Sequence, residues 1–155
     1  MSTADQPVPD GFRLQLDHDA DPAFRAELGR RINAHHAAMV PLTSRRFTLA
    51  LHDASDVLAG GLSGVMFWDW LFVEALWVRD DLRGQGIGRA LLAQAETHAA
   101  GAGCHAVWLD TFLARGFYEA LGYCSFGTLE NYPPGQSRTF LRKSLIPLPA
   151  AASSG

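Results

Sequence analysis

The chain has 155 residues, 48% hydrophobic and 10% aromatic, enough apolar surface to bury the core of one globular domain. Its formal net charge is −3, and its basic residues, twelve Arg and the single Lys143, form no run, which excludes the clustered basic footprint of a general nucleic-acid binder. No apolar stretch reaches the roughly 20 residues that span a bilayer, and residues 1–10 lack a basic region followed by a hydrophobic one, so a soluble, cytoplasmic protein without a membrane partner is expected.

Residues 1–11 and 147–155 are polar or rich in Pro, Ala and Ser without periodicity and are expected to be disordered, leaving 12–146 as the folded domain. Alternation predicts a strand over 12–16. Asp21 and Pro22 then supply an N-cap and a first-turn proline for a helix whose apolar residues Phe24, Leu28, Ile32 and Met39 recur at helical spacing up to Pro41. Residues 46–52 and 57–68 read as a hairpin around the polar turn 53–56, and 70–78, apolar except for Glu74, as a strand covered on both faces.

Ile87, Leu91, Leu92, Ala95 and Ala99 mark a helix closed by Gly101 and Gly103. A strand over 105–111, a short helix over 114–121 and strands over 124–129 and 138–145 complete the chain. The expectation is an α/β (α+β) fold: a mixed, mainly antiparallel twisted sheet of about seven strands with helices on both faces. Cys104 and Cys124 lie in apolar segments and are expected as two buried free thiols.

The segment that carries chemistry ends the strand 70–78 and opens the next helix: Val78-Arg79-Asp80-Asp81-Leu82-Arg83-Gly84-Gln85-Gly86-Ile87-Gly88-Arg89. The first amides of a helix lack internal acceptors and sit at the positive end of its dipole, and glycines let backbone close on phosphate oxygens. Arg83 and Arg89 bracket the turn and can add charge-assisted bonds. A dinucleotide fingerprint needs a third glycine at 89 or 91, occupied by Arg89 and Leu91, and a Walker loop needs a Gly-Lys pair that is absent.

With its phase Arg83-x-x-Gly86-x-Gly88, this segment resembles motif A of the GNAT superfamily of acyl-CoA N-acyltransferases. Val107-Trp108-Leu109-Asp110-Thr111 followed by Phe117-Tyr118-Glu119-Ala120-Leu121-Gly122-Tyr123 resembles motif B, and the resemblance extends over about residues 12–145. Residues 132–138 resemble those of a bacterial subgroup of GNAT proteins. The resemblance implies acetyl-CoA in a V-shaped gap between the strands 72–78 and 105–111. The pyrophosphate would meet the amides of Arg83, Gly84, Gln85, Gly86, Ile87, Gly88 and Arg89, and the pantetheine the backbone of Leu76, Trp77 and Val78. It also implies Tyr118 as the acid that protonates the departing thiolate. The loop 112–116 is about two residues shorter than the family pattern.

Glu74 is the one charge in its strand, and simple alternation puts it on the face of Leu76 and Val78. The resemblance suggests it as a base for the substrate ammonium, against the alternative of a carboxylate bonded to an arginine. The six histidines show no metal-ligand spacing, so no metal is expected. His35 and His36 read as cations near a helix C-terminus, the aromatic run Phe67, Trp68, Trp70 and Phe72 as core, and Asn131 and Tyr132 as loop candidates for the acceptor site. The implied function is transfer of an acetyl group from acetyl-CoA to a small-molecule or peptide amine, and the resemblance suggests a homodimer formed through C-terminal strands. The second reading is a non-catalytic acyl-CoA-binding module.

Overall fold

The structure, a computed structural model, describes residues 8–146; the two tails expected to be disordered fall, at 1–7 and 147–155, outside the described residues. Two units follow one another along the chain, divided between Pro41 and Leu42.

The first unit carries α1, Pro22–Ala37. Its start is as expected: the Asp21 carboxylate accepts from the Ala23 amide at 2.9 Å and Pro22 occupies the first turn. Glu27 is clasped by Arg30 and Arg31 at the next helical turn, which holds its carboxyl below the usual carboxylate range. His35 and His36 lie in the last turn, where the dipole favours cations. Residues 12–16 do not form the expected strand: Phe12, Leu14 and Leu16 are exposed and no strand pairs with them among the described residues. Alternation alone supplies no ladder partner, and an unpaired strand leaves its backbone bonds to water.

The second unit is a six-stranded sheet with two helices. The strands are β1 (Ser44–His52), β2 (Leu58–Phe67), β3 (Trp70–Val78), β4 (Ala106–Thr111), β5 (Cys124–Glu130) and β6 (Ser137–Ser144), in the order β1-β2-β3-β4-β6-β5. All neighbours are antiparallel except β3 and β4, which are joined through α2 (Ile87–Gly101) and pair in parallel. That pairing covers only Trp70–Phe72 against Ala106–Trp108, so beyond it the two strands diverge and leave a V in the sheet. The short α3 (Arg115–Ala120) links β4 to β5. The α/β class and the mainly antiparallel sheet stand as expected; the strand count is six because the N-terminal strand does not form.

One face of the sheet makes the core. Leu62, Leu71, Val73, Val107, Leu109 and Leu141 from the strands pack with Leu91, Leu92, Ala95 and Ala99 of α2 and Tyr118 of α3. Gly64 is demanded here: a Cβ would stand 2.9 Å from a Leu71 methyl and 3.1 Å from the Phe47 ring. At the same level β3 is bulged. Ser63 faces Ala75 and Gly64 faces Val73, so Glu74 is the extra residue. The bulge shifts the side-chain phase by one, which is why Leu71 and Val73 before it and Leu76 and Val78 after it all belong to the core side.

Two expectations about burial change. Cys104 is buried, but Cys124 is exposed because β5 is the edge strand and none of its residues is buried. The aromatic residues Trp70 and Phe72 are not core: they alternate with Leu71 and Val73 and lie on the opposite face.

Candidate functional site

A cavity of about 730 Å³ lies at the V. Its walls are the end of β3, the turn into α2 and the start of α3, and they include Leu76, Trp77, Val78, Arg83, Gly84, Gly86, Ile87, Gly88, Arg89 and Tyr118. Nine of the ten residues expected to hold the cofactor therefore line one cavity together with the expected acid. Gln85 does not line it, because its side-chain amide turns back to donate to the Asp81 carbonyl at 3.4 Å. Leu82, Leu113, Ala114, Phe117, Ala120 and Leu121 complete the walls, and of these Leu82, Leu113, Ala114 and Ala120 carry no signal in the sequence. Phe117 and Leu121 were already marked by their spacing around Tyr118.

The turn has the backbone that an anion cradle needs. Gly84 and Gly86 both take φ near +78°, and a Cβ at either would meet nothing within 4 Å, so the space above the turn is open. Gly86 is the N-cap of α2 and offers no side-chain acceptor to the first amides of this 15-residue helix. Those amides, with the dipole behind them and the exposed Arg89 alongside, suit a pyrophosphate. Arg83 is held beside the turn by Asp80 at 3.0 Å and by the Val78 carbonyl at 3.4 Å. Behind it Arg79 is pinned between Asp81 at 2.7 Å and Asp53 at 2.8 Å, which ties the strand end to the β1–β2 turn. Both carboxylates are held below their usual range, chiefly by that guanidinium.

Tyr118, 8% exposed, lines the same cavity and stands edge-on to Phe117 and Tyr123. Burial, aided by the negative charge of Asp110, pushes its hydroxyl above the ordinary tyrosine value. The short loop before it is closed by Thr111, whose hydroxyl accepts from the Ala114 amide at 3.1 Å, and α3 begins at the next residue.

Glu74 is elsewhere. The bulge leaves it on the face of Trp70 and Phe72, opposite to Leu76 and Val78, which corrects the face expected from simple alternation. There it pairs with Arg46 of β1 at 2.5 Å. This face carries an aromatic surface: Phe72 and Trp108 stack with ring centres 4.1 Å apart and planes within 18°. A cleft of about 520 Å³ runs from Arg46 over Val65 and Phe72 to Trp108, and one of about 310 Å³ continues to Phe126, Phe140 and Arg142. In the β5–β6 loop, Asn131 accepts from the Gly135 amide at 2.9 Å, and the Tyr132 ring lies 4.4 Å from the Arg138 guanidinium. Among the described residues no group of three or more His, Cys, Asp or Glu is placed to hold a metal, and no helix is long and apolar enough to cross a membrane.

Comparison with known proteins points to one family. Residues 14–123 match the family model described as the acetyltransferase (GNAT) family. The chain is 43% identical over 91 residues to a blasticidin-S acetyltransferase of Streptomyces morookaense, covering 57% of this chain and 67% of that protein. It is 37% identical over 129 residues to the acetyltransferase Atu2258 of Agrobacterium fabrum, covering 82% and 92%. The fold superposes on a crystal structure of an Agrobacterium tumefaciens acetyltransferase with a TM-score of 0.80 at 31% identity, over 86% of this chain and 99% of that one. A glycine turn at a helix N-terminus, a V between parallel strands and a family match that runs through both make this chain a member of the GNAT acetyltransferase family, and so an acyltransferase.

Proposed function

We propose that the protein moves the acetyl group of acetyl-CoA to a primary amine by direct attack, with 12–146 as the catalytic domain. The observation that carries this reading is the single cavity joining the glycine turn, the end of β3 and Tyr118. The amides at the start of α2, with Arg83 and Arg89, hold the pyrophosphate. Leu76, Trp77 and Val78 pair with β2 but lack a β4 partner, so backbone groups on their V side are open to the pantetheine amides, although the Val78 carbonyl is also approached by Arg83. The bound donor supplies a thioester carbonyl carbon for the amine to attack. Tyr118 donates its proton to the sulfur as the carbon–sulfur bond breaks, and its raised pKa keeps that proton in place until then. Glu74, directly or through water, takes the proton that the amine nitrogen sheds.

The non-catalytic alternative gains no observation, since Tyr118 stands in the same cavity as the cradle. The acceptor is a small-molecule or peptide amine; the relative named for blasticidin S makes that antibiotic one amine to test. The decisive experiment measures thiol release from acetyl-CoA across a panel of blasticidin S, spermidine, tyramine, cadaverine and a lysine-containing peptide. Release with at least one amine, accompanied by its acetylated product, is expected. A folded protein that shifts its melting point with acetyl-CoA and yet acetylates none of them would overturn the transferase reading of this cavity.

A further inference from the structure

On the face of the sheet away from the core, the V has a carboxylate on each lip. Glu74 stands on β3 and Asp110 on β4, two residues past Trp108, the last residue of β4 that pairs with β3. Each is tied to an arginine from an outer strand, Glu74 to Arg46 and Asp110 to Arg138. The Asp110 pair is the more enclosed, with both side chains at least three-quarters buried. Arg138 Nη1 donates to Asp110 Oδ1 at 2.5 Å, and among the described residues Oδ2 takes no hydrogen bond.

Arg138 is not arranged for its own stability. Its Nε is buried without a partner, an arrangement that costs free energy, while its guanidinium is fixed by the Tyr132 ring at 4.4 Å and the Phe112 ring at 5.6 Å. The result is a carboxylate held still with one oxygen left over. Asp110 directly precedes Thr111, which caps the loop leading into α3 and Tyr118, and its negative charge adds to the rise of the Tyr118 pKa. Next to Asp110 on the same face the Phe72–Trp108 stack lines a cleft and offers an outer aromatic face on which a further ring can stack.

We infer that Asp110 binds the ammonium group of the acceptor through Oδ2, with Arg138 as its positioning residue. The outer face of the Phe72–Trp108 stack takes a planar, unsaturated body carried by the same molecule. The acceptor class is therefore an amine joined to a flat ring system rather than an aliphatic polyamine. Oδ2 gives an entering ammonium a fixed anionic acceptor that it shares with Arg138, and a ring stacked on the outer face of the aromatic pair replaces water there. This inference rests on the transferase reading above.

Steady-state kinetics with tyramine and cadaverine, each against acetyl-CoA, tests it. The wild-type protein is expected to favour tyramine at least 10-fold in kcat/KM. In Asp110→Asn the KM for tyramine is expected to rise about 10- to 100-fold, the value of one charge-assisted contact, with the acetyl-CoA Kd unchanged. Trp108→Leu is expected to reduce the preference for tyramine over cadaverine while leaving the KM for cadaverine nearly as it was. The melting shift with acetyl-CoA reports that each variant is folded. Should Asp110→Asn lose that shift, Asp110→Glu keeps the charge but displaces it, and a several-fold rise in the tyramine KM is expected. An unchanged acceptor KM in the folded Asp110 variant, or equal use of the two amines, would overturn this inference and leave the transferase reading intact. Absence of thiol release with every amine of the panel would overturn both.

Discussion

Burial, aided by the charge of Asp110, raises the Tyr118 pKa further above its ordinary value, which suits the acid role proposed for it. Tyr118→Phe retains the ring and its edge contacts with Phe117 and Tyr123 and removes only the hydroxyl. Turnover is expected to fall by roughly 10²- to 10⁴-fold, the span of positioned acid catalysis, with little change in the acetyl-CoA Kd. Full activity in this variant would assign the proton to water. Glu74 calls for a different measurement, because its pair with the exposed Arg46 is worth at most about 1 kcal/mol. Glu74→Gln is expected to melt close to the wild type and to lose turnover mainly at low pH, where an unaided amine stays protonated. A normal pH–rate profile in that variant would remove the base.

At the scale of elements, the cradle is the start of α2 and depends on φ values that only glycine takes without strain. Gly86→Asp introduces a side chain at φ near +78° and a negative charge where the phosphates are proposed to bind. About 1–2 kcal/mol of stability is expected to be lost through the backbone. The melting shift with acetyl-CoA, about 2.7 kcal/mol at a hundredfold excess over Kd for the wild type, is expected to vanish. An undiminished shift would move the pyrophosphate elsewhere. The cradle is also braced from behind by Arg79 between Asp53 and Asp81. Both carboxyls have folded pKa values below their unfolded ones, so their contribution is present above the ordinary aspartate range, near pH 4, and is lost as pH falls through the lowered values. Acid titration of the melting point is expected to show this loss in the wild type and less of it in Asp53→Asn. Identical acid titrations in the two proteins would show that the brace does not couple to folding.

For the folded unit as a whole, one lysine joins helix to sheet. Lys143 of β6 lies 2.6 Å from Glu96 of α2, whose side chain is mostly buried and also accepts from the Tyr123 hydroxyl at 3.4 Å. Burial pushes the Tyr123 hydroxyl far above its usual range, with the charge of Glu96 adding to the shift, so the phenol stays neutral and donates. Lys143→Met leaves Glu96 enclosed with one partner fewer, and the expected cost is on the order of 1–3 kcal/mol, read from chemical denaturation. Unaltered stability would mean that water replaces the lysine.

Much of this was legible in the sequence because it depends on local chemistry. The phase of Arg83, Gly86 and Gly88 marks a turn that must admit positive φ and end in free amides, and these are properties of a few adjacent residues. The spacing of Phe117, Tyr118 and Leu121 likewise sets which side of a short helix lines the cavity. What depends on partners distant in the chain was decided only by the tertiary structure. Residues 12–16 alternate like a strand but have no strand to pair with, and Cys124 is apolar in context but lies on an edge. One extra residue opposite Ser63 and Gly64 turns Glu74 to the face away from Leu76 and Val78, and side-chain alternation carries no sign of such a bulge. The meeting of Asp110 with Arg138, 28 positions later, exists only because β6 lies beside β4 in the sheet, a neighbour relation set by packing rather than by any local pattern.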